Sequence, residues 1–275
     1  MQFKPKLKII FLYIILIIMC ILTLAPLVWM ISASLMPTGQ ANTYPPKFIP
    51  VKVTFVHYIN LFTRLNLFRY FMNSTVVSLA VNFISLFVNS MAGFAFAKYR
   101  FPGRDRIFKL LLAAMVIPGQ VTMLPLFLML NRIGLINTYW GIIIPGMASI
   151  FGIFLIRQYI FSIPDSLIEA ARMDGASDFR IYWSIILPLC KPILVTLIIF
   201  SFMGSWNDFL WPLIVMTKDS MYTLPVALAN LMGEHAQDTE LMMAGSVLTI
   251  LPVLVVFMAL QKYYIKGIMM GSVKG

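Results

Sequence analysis

Polar side chains that interrupt the apolar stretches of this 275-residue chain are the first candidates for chemistry. Amide and carboxyl groups in such surroundings hydrogen-bond a solute, a neighbouring helix or water, since burying them unpaired is costly. Five candidates for a solute path are Asn82, Asn89, Gln120, Asn207 and Asp208. No G-x-x-x-x-G-K-[ST], H-E-x-x-H or C-x-x-C pattern accompanies them. No catalytic or nucleotide-binding motif is therefore predicted, and the chain is expected to bind no ATP, metal or other cofactor itself.

One set of polar residues recurs at intervals of three and four residues, which places it on one face of a helix. We call it the polar stripe; its members are Thr75, Ser78, Asn82, Ser85 and Asn89. Two interpretations are open. The stripe either joins helices inside a bundle or lines a polar path for a solute.

The other polar candidates also have two interpretations each. Gln120 follows Pro118 and Gly119, so it either compensates a broken backbone ladder or faces a solute. Asp208 lies near a predicted membrane boundary and is either a solvated interfacial residue or part of a solute site. His57 and His235 stand alone without ligand spacing, and we expect both at a surface or interface.

The composition is typical of an integral membrane protein. Hydrophobic residues make up 60% of the chain, charged residues 11%, and the mean hydropathy is +0.89. Stretches long enough to cross about 30 Å of hydrocarbon as helices lie at residues 9–31, 75–97, 110–130, 139–156, 192–213 and 241–260. The predicted fold class is therefore all-α, with six transmembrane helices.

The distribution of basic residues predicts the orientation. Most of the 21 Lys and Arg residues precede the first apolar stretch, follow the sixth, or lie between the second and third or the fourth and fifth. The positive-inside rule then places both termini in the cytoplasm. This distribution explains the net charge of +11 without a nucleic acid partner. The first stretch is too long for the core of a signal peptide and is expected to remain as an anchor.

Residues 162–192 form a polar island between two apolar stretches. Asp165 favours a helix start, and Ser162 is a candidate cap for that helix. Gly175 is expected to end the helix in a left-handed conformation, and Ser177 to cap a second short helix. The island thus predicts two short helices joined at a glycine elbow, outside the membrane.

The same island contains the pattern E-A-A, three residues, G, nine residues, I, one residue, L-P. The matching residues are Glu169, Ala170, Ala171, Gly175, Ile185, Leu187 and Pro188. The pattern resembles the EAA loop of bacterial ABC importer permeases, and we call residues 162–192 the EAA-like loop. Residues 117–145 and the C-terminal tail also resemble permeases of carbohydrate importers, in the maltose and glycerol-3-phosphate class. The likeness covers nearly the whole chain from about Tyr58.

This resemblance implies a type-1 ABC importer permease fold in which the EAA-like loop is a cytoplasmic two-helix coupling element. It implies a cytoplasmic N-terminus and first anchor (1–31), an external segment (32–72), a transmembrane domain (73–262) and a cytoplasmic tail (263–275). The residues implied to couple the chain to an ATPase are Glu169, Ala170, Ala171, Asp174, Gly175, Leu187 and Pro188.

The resemblance also implies partners in the bacterial cytoplasmic (inner) membrane. These are a second permease, forming a heterodimer with this chain, two ATPase subunits that bind ATP, and an extracytoplasmic solute-binding protein. The implied solute is a sugar, an oligosaccharide or a compound like glycerol phosphate. The alternative is an ion-coupled secondary transporter for a small polar solute, which would need a buried ion site, with Asp208 as its only candidate.

Overall fold

A computed structural model describes residues 3–234 and 238–272, and every regular element there is helical. The chain divides into two compact units. One unit comprises Met1–Phe68 with Ala227–Leu251, and the other comprises Arg69–Val226 with Pro252–Gly275.

The first unit begins with α1 (Phe3–Ala33) and contains the short α2 (Val56–Thr63). The apolar side chains of α1 between Ile9 and Val28 are exposed, as suits a helix surrounded by lipid. His57 of α2 is buried, and its Nε2 lies 2.9 Å from the carbonyl oxygen of Met36. The expectation of a surface or interfacial histidine is therefore wrong for His57, because the segment after α1 folds over it. His235 lies outside the described residues.

The remaining helices follow in chain order. They are α3 (Leu67–Lys98), α4 (Arg104–Ala114), α5 (Gly119–Arg132), α6 (Trp140–Gly146), α7 (Ile150–Phe161), α8 (Asp165–Met173), α9 (Asp178–Ile181), α10 (Leu187–Leu189), α11 (Lys191–Trp206), α12 (Leu210–Val215), α13 (Leu224–Glu234) and α14 (Thr239–Ser272). A π-helical turn, Tyr182–Ile186, joins α9 to α10, and a 3₁₀ turn, Asp219–Met221, follows α12.

Four segments are long and apolar enough to cross a membrane: Lys8–Ala33, Leu67–Lys98, Trp140–Phe161 and Thr239–Lys262. Two bent helix pairs are further candidates. Arg104–Ala114 meets Gly119–Arg132 at 103°, and Asp178–Leu189 meets Lys191–Trp206 at 80°. The described part of the chain therefore has four candidate spans, or up to six if each bent pair counts as one, and six membrane crossings stay a prediction.

Breaks within the predicted spans have local causes. The interruption predicted at Pro118 is confirmed, since α4 ends at Ala114 and Pro118 directly precedes α5. The sequence also predicts an interruption at Pro125, which is wrong, because Pro125 lies within α5.

The stretch 192–213, predicted as one span, is not one helix. It ends as α11 at Trp206, and Asn207 and Asp208 precede the short α12. Side chains of this type compete with the backbone for hydrogen bonds, which favours helix ends.

Glycines let α3 approach the helices beside it. A Cβ at Gly93 of α3 would lie 2.6 Å from Cγ2 of Ile156 in α7. A Cβ at Gly152 would lie 2.6 Å from the Asn89 side-chain nitrogen. Small residues at such crossings permit close backbone contact, which is a main source of helix association in lipid. The closely packed pair α3 and α7 thus supports the EAA-like loop, which follows α7 in the chain.

Candidate functional site

The glycine elbow of the EAA-like loop has the predicted geometry. Gly175 has φ +77°, in the left-handed region. The Ala176 N–H donates to the carbonyl oxygen of Ala171 at 2.9 Å, and the Gly175 N–H donates to that of Arg172 at 3.0 Å. These two bonds make a Schellman motif, which satisfies the last carbonyls of α8 and turns the chain.

The two predicted caps have different outcomes. Ser177 Oγ accepts from the Arg180 N–H at 3.3 Å, so the predicted cap of α9 is confirmed. The predicted cap at Ser162 is wrong, because its hydroxyl donates to the Tyr159 carbonyl at the end of α7. Pro164 occupies the cap position of α8 instead and makes no side-chain hydrogen bond.

The two faces of α8 differ. Ile168 and Ala171 are buried in the chain's own apolar core, whereas Glu169, Ala170 and Asp174 are exposed. The Glu169 and Asp174 carboxylates are therefore available to a partner. Ala171 instead brings α8 close to its own bundle.

The second arm of the loop continues from α9 through the π turn to α10. Tyr182 and Ile186 of the turn are buried, and the Tyr182 hydroxyl lies 2.7 Å from Ser90 Oγ of α3. Leu187 is partly buried and Pro188 is exposed. The π turn precedes the proline, which cannot donate a backbone hydrogen bond. This arm is thus anchored on the bundle through Tyr182 and Ile186.

An exposed apolar surface lies on the same loop. Met173 is 83% exposed, Phe179 59% and Trp183 56%. The rings of Phe179 and Trp183 stack with centroids 6.2 Å apart. Exposed aromatic and methionine side chains are typical of a surface that a protein partner covers.

Lys98, the last residue of α3, fastens the loop to the bundle. Its side chain is 6% exposed, and its ammonium group donates to the Ile163 carbonyl at 2.6 Å and pairs with the Asp165 carboxylate. The hydrogen bond from Lys98 holds the pKa of Asp165 below its usual range. The start of α8 is therefore tied to the end of α3.

Tyr99 makes a second attachment. The Arg172 guanidinium lies 5.6 Å from the centre of its ring and donates to Asp178 at 3.2 Å. Burial raises the pKa of Tyr99, and the neighbouring Asp178 adds to the shift. Tyr99 thus connects the end of α3 to both arms of the elbow. Sequence reasoning missed Lys98 and Tyr99, because nothing in the local pattern pairs them with residues more than sixty positions away.

The polar stripe joins α3 to two other helices. The Asn82 amide donates to the Ile198 carbonyl at 3.0 Å, and Ser85 Oγ lies 3.1 Å from Ser201 Oγ. Asn89 Oδ1 accepts from the Ser149 N–H at 2.9 Å, at the start of α7. Contacts of this kind support the interpretation of the stripe as a helix-joining element. Ser85 and Asn89 also line a cavity, so the solute-path interpretation stays open for them.

The other candidate path residues lie at or beside helix ends. Gln120 is exposed in the first turn of α5. Asn207 is exposed at the end of α11, and Asp208 is partly buried, where its carboxylate accepts from the Trp211 N–H at a long 3.5 Å. Their proposed contact with solute is a prediction that their geometry does not test.

The stripe contacts predict an order of stability losses. Asn89→Leu should lower the thermal stability of the purified complex most, because it leaves the Ser149 N–H unpaired and crowds Gly152. The loss of such a hydrogen bond costs about 0.5–1.5 kcal/mol where water can replace the partner, as at the exposed Ser149. Asn82→Leu should cost less, since Asn82 Oδ1 is already buried without a partner. Ser78→Ala is the matched control, because the buried Ser78 hydroxyl has no partner to lose. An equal loss for all three would contradict a helix-joining role.

The fold and the loop define a membrane transport permease, and comparison with known proteins places the chain in a family. Residues 89–269 match the family described as binding-protein-dependent transport system inner membrane component, and the chain belongs to that family.

Two relatives and one solved structure illustrate the likeness. The chain is 38% identical to the arabinooligosaccharides transport system permease protein AraQ of Halalkalibacterium halodurans, over 91% of each chain. It is 32% identical to the lactose transport system permease protein LacG of Rhizobium radiobacter, over 95% of each chain. A chain in the crystal structure of a bacterial ABC transporter involved in alginate import superposes with a TM-score of 0.86. That chain is 27% identical, and the match covers 96% of this chain and 99% of the other.

Proposed function

We propose that this chain is a permease subunit of an ATP-driven importer and forms, with a second permease, the path for a sugar, an oligosaccharide or a solute like glycerol phosphate, with an oligosaccharide favoured. The elbow carries the proposal: a complete Schellman turn at Gly175 holds exposed carboxylates outward, on a loop fastened to the bundle. The family membership and the saccharides named for the relatives support the substrate class.

The EAA-like loop would dock on one of two ATPase subunits, which bind and hydrolyse ATP for the complex. Glu169 and Asp174 would meet basic groups of the partner, and the exposed apolar surface at Met173, Phe179 and Trp183 would be covered. Glu169→Lys should weaken this docking, though less than a change in the elbow itself, because Glu169 is a surface charge.

Movement of the docked loop would tilt the bundle. Closure of the ATPase pair on ATP displaces α8 and α9, and Lys98 and Tyr99 pass that displacement to α3. The bundle then alternates between inward-open and outward-open states. The coupling is a free energy that links the ATP site to the solute path, so solute delivery must in turn favour the binding of ATP.

The proposed orientation can be tested by cysteine labelling. We expect Ser177→Cys to react only from the cytoplasm and Asp238→Cys only from outside, since the basic residues cluster on the side of the EAA-like loop. The native Cys20 and Cys190 would first be replaced by serine and alanine. An impermeant maleimide applied to intact cells, with and without permeabilisation, gives the reading. Labelling of Ser177→Cys in intact cells would contradict the proposed topology.

A reconstituted complex tests the function itself. Vesicles would be prepared with both permeases and the ATPase subunits. They should take up oligosaccharide only when ATP is present on the side of the membrane that carries the ATPase subunits and loaded solute-binding protein is present on the opposite side. Binding protein should also stimulate hydrolysis. Uptake that needs no ATP and follows an imposed ion gradient would instead indicate the secondary-transporter class.

A further inference from the structure

A cavity of about 260 Å³ lies in the second unit, between α3, the start of α7 and α11. Its polar lining comes from Ser85 and Asn89 of α3, Ser149 before α7 and Ser201 of α11. Small-molecule sites typically measure roughly 300–1,000 Å³. The cavity is therefore suited to one ring-sized segment of a solute rather than to a whole oligosaccharide.

The polar groups in this cavity have hydrogen-bonding capacity left for a ligand. The Ser85 hydroxyl donates to the Asn82 carbonyl at 3.1 Å and lies 3.1 Å from Ser201 Oγ, so the two hydroxyl oxygens have acceptor positions left for a ligand. The Asn89 Oδ1 accepts from the Ser149 N–H. The Asn89 amide nitrogen lies beside Gly152, where a larger residue would place its Cβ. Three helices thus direct hydroxyl and amide groups towards one space.

Apolar rings border the same space. The Phe151 and Phe200 rings have centroids 6.3 Å apart with planes inclined at 66°, and each side chain is 43% exposed. Within the described part of the chain, no charged side chain lines the cavity. Neutral hydroxyl and amide groups beside exposed aromatic surface match a neutral saccharide ring, which has hydroxyls at its rim and apolar C–H faces.

From this arrangement we infer that the cavity is a subsite of the transport path and binds one ring of a neutral saccharide in passage. The inference rests on the proposed function and assigns solute contacts to this chain in addition to any in its partner permease. A lipid acyl chain is the competing occupant, but it has no polar groups that could use the remaining hydrogen-bonding capacity of Ser85, Ser201 and the Asn89 amide nitrogen.

Filling the cavity is the direct test. Gly204 lines it, and a Cβ added there has no atom within 4 Å, so Gly204→Leu can enter the space without displacing the backbone. Arabinotriose uptake by the reconstituted complex should fall by roughly tenfold or more, because extra methylenes now occupy the room of the ring. Hydrolysis stimulated by loaded binding protein should persist. Gly204→Ala should cause a smaller loss, and Met203→Leu, on the same helix outside the cavity lining, should cause none.

A second variant removes hydrogen-bonding groups from the cavity instead of filling it. Ser85→Ala with Ser201→Ala deletes both partners of one hydrogen bond, so neither is left unpaired and the fold should be kept. Two lost hydroxyl contacts should lower arabinotriose uptake about three- to tenfold. If the complex that carries Gly204→Leu does not assemble, uptake by the double variant alone tests the saccharide subsite.

The outcomes separate the inference from the function on which it rests. If the wild-type complex takes up neither arabinotriose nor lactose, the proposed substrate class fails. If the wild type transports and both cavity variants stay within about twofold of it, the subsite is overturned while the function stands. A fall in uptake with stimulated hydrolysis intact supports the subsite. An equal fall in hydrolysis and uptake would show damage to coupling and would overturn it.

Discussion

Gly175→Pro is expected to abolish solute uptake while the protein stays in the membrane and paired with its partner permease. Gly175 has φ +77°, whereas proline is confined to about −65°. Proline would also remove the N–H that donates to the Arg172 carbonyl in the elbow. Space around Gly175 is open, so the effect would come through the backbone and not through a clash. The ATPase subunits should then bind poorly or fail to transmit their closure.

Two further substitutions at the same position make this result interpretable. Gly175→Val should be impaired as well, because a residue with a Cβ loses roughly 1–2 kcal/mol in the left-handed region. Gly175→Asn is the matched control and should keep most of the uptake, since asparagine adopts that region most readily after glycine. Uptake would be measured beside co-purification of the ATPase subunits. Full uptake with Gly175→Pro would remove the elbow from the coupling mechanism.

Lys98→Met is expected to uncouple hydrolysis from uptake. The substitution keeps the length and apolar stem of the side chain but removes the ammonium group that holds the Ile163 carbonyl and the Asp165 carboxylate. The start of α8 would then move without drawing α3 with it. We expect uptake to fall about tenfold, as for the loss of one charge-assisted contact, while the ATPase subunits stay bound and active.

Arg100→Met is the control for Lys98→Met, because Arg100 is an exposed cation that lies near the same carboxylate without bonding it. The ratio of solute taken up to ATP hydrolysed is the deciding quantity. An unchanged ratio in Lys98→Met would show that this attachment does not transmit movement.

The ion pair between Lys98 and Asp165 should be fully formed at neutral pH. Since the pKa of Asp165 is lowered, the stability it adds is present above the ordinary Asp pKa and is lost only as the pH falls through the lowered value.

The local geometry of the EAA-like loop could be predicted from the sequence because its determinants lie within a few residues of each other. A left-handed turn at Gly175 and a cap at Ser177 depend on backbone conformation and on hydrogen bonds spanning three to five residues. The cap expected at Ser162 failed for a similar local reason. The preceding helix extends to Phe161, so the Ser162 hydroxyl is taken by that helix end and not by the next helix start.

The sequence by itself determined that this protein is a helical membrane permease, that its polar island turns at Gly175, and which residues share the face of the polar stripe. Hydropathy, basic-residue distribution and short-range patterns carry that information. Only the tertiary structure decided that His57 is buried, that Lys98 holds Asp165, and that Ser85 meets Ser201 beside a cavity. The physical reason is that helical periodicity specifies which side chains share a face, whereas the choice of the facing helix depends on close packing at small residues such as Gly93 and Gly152.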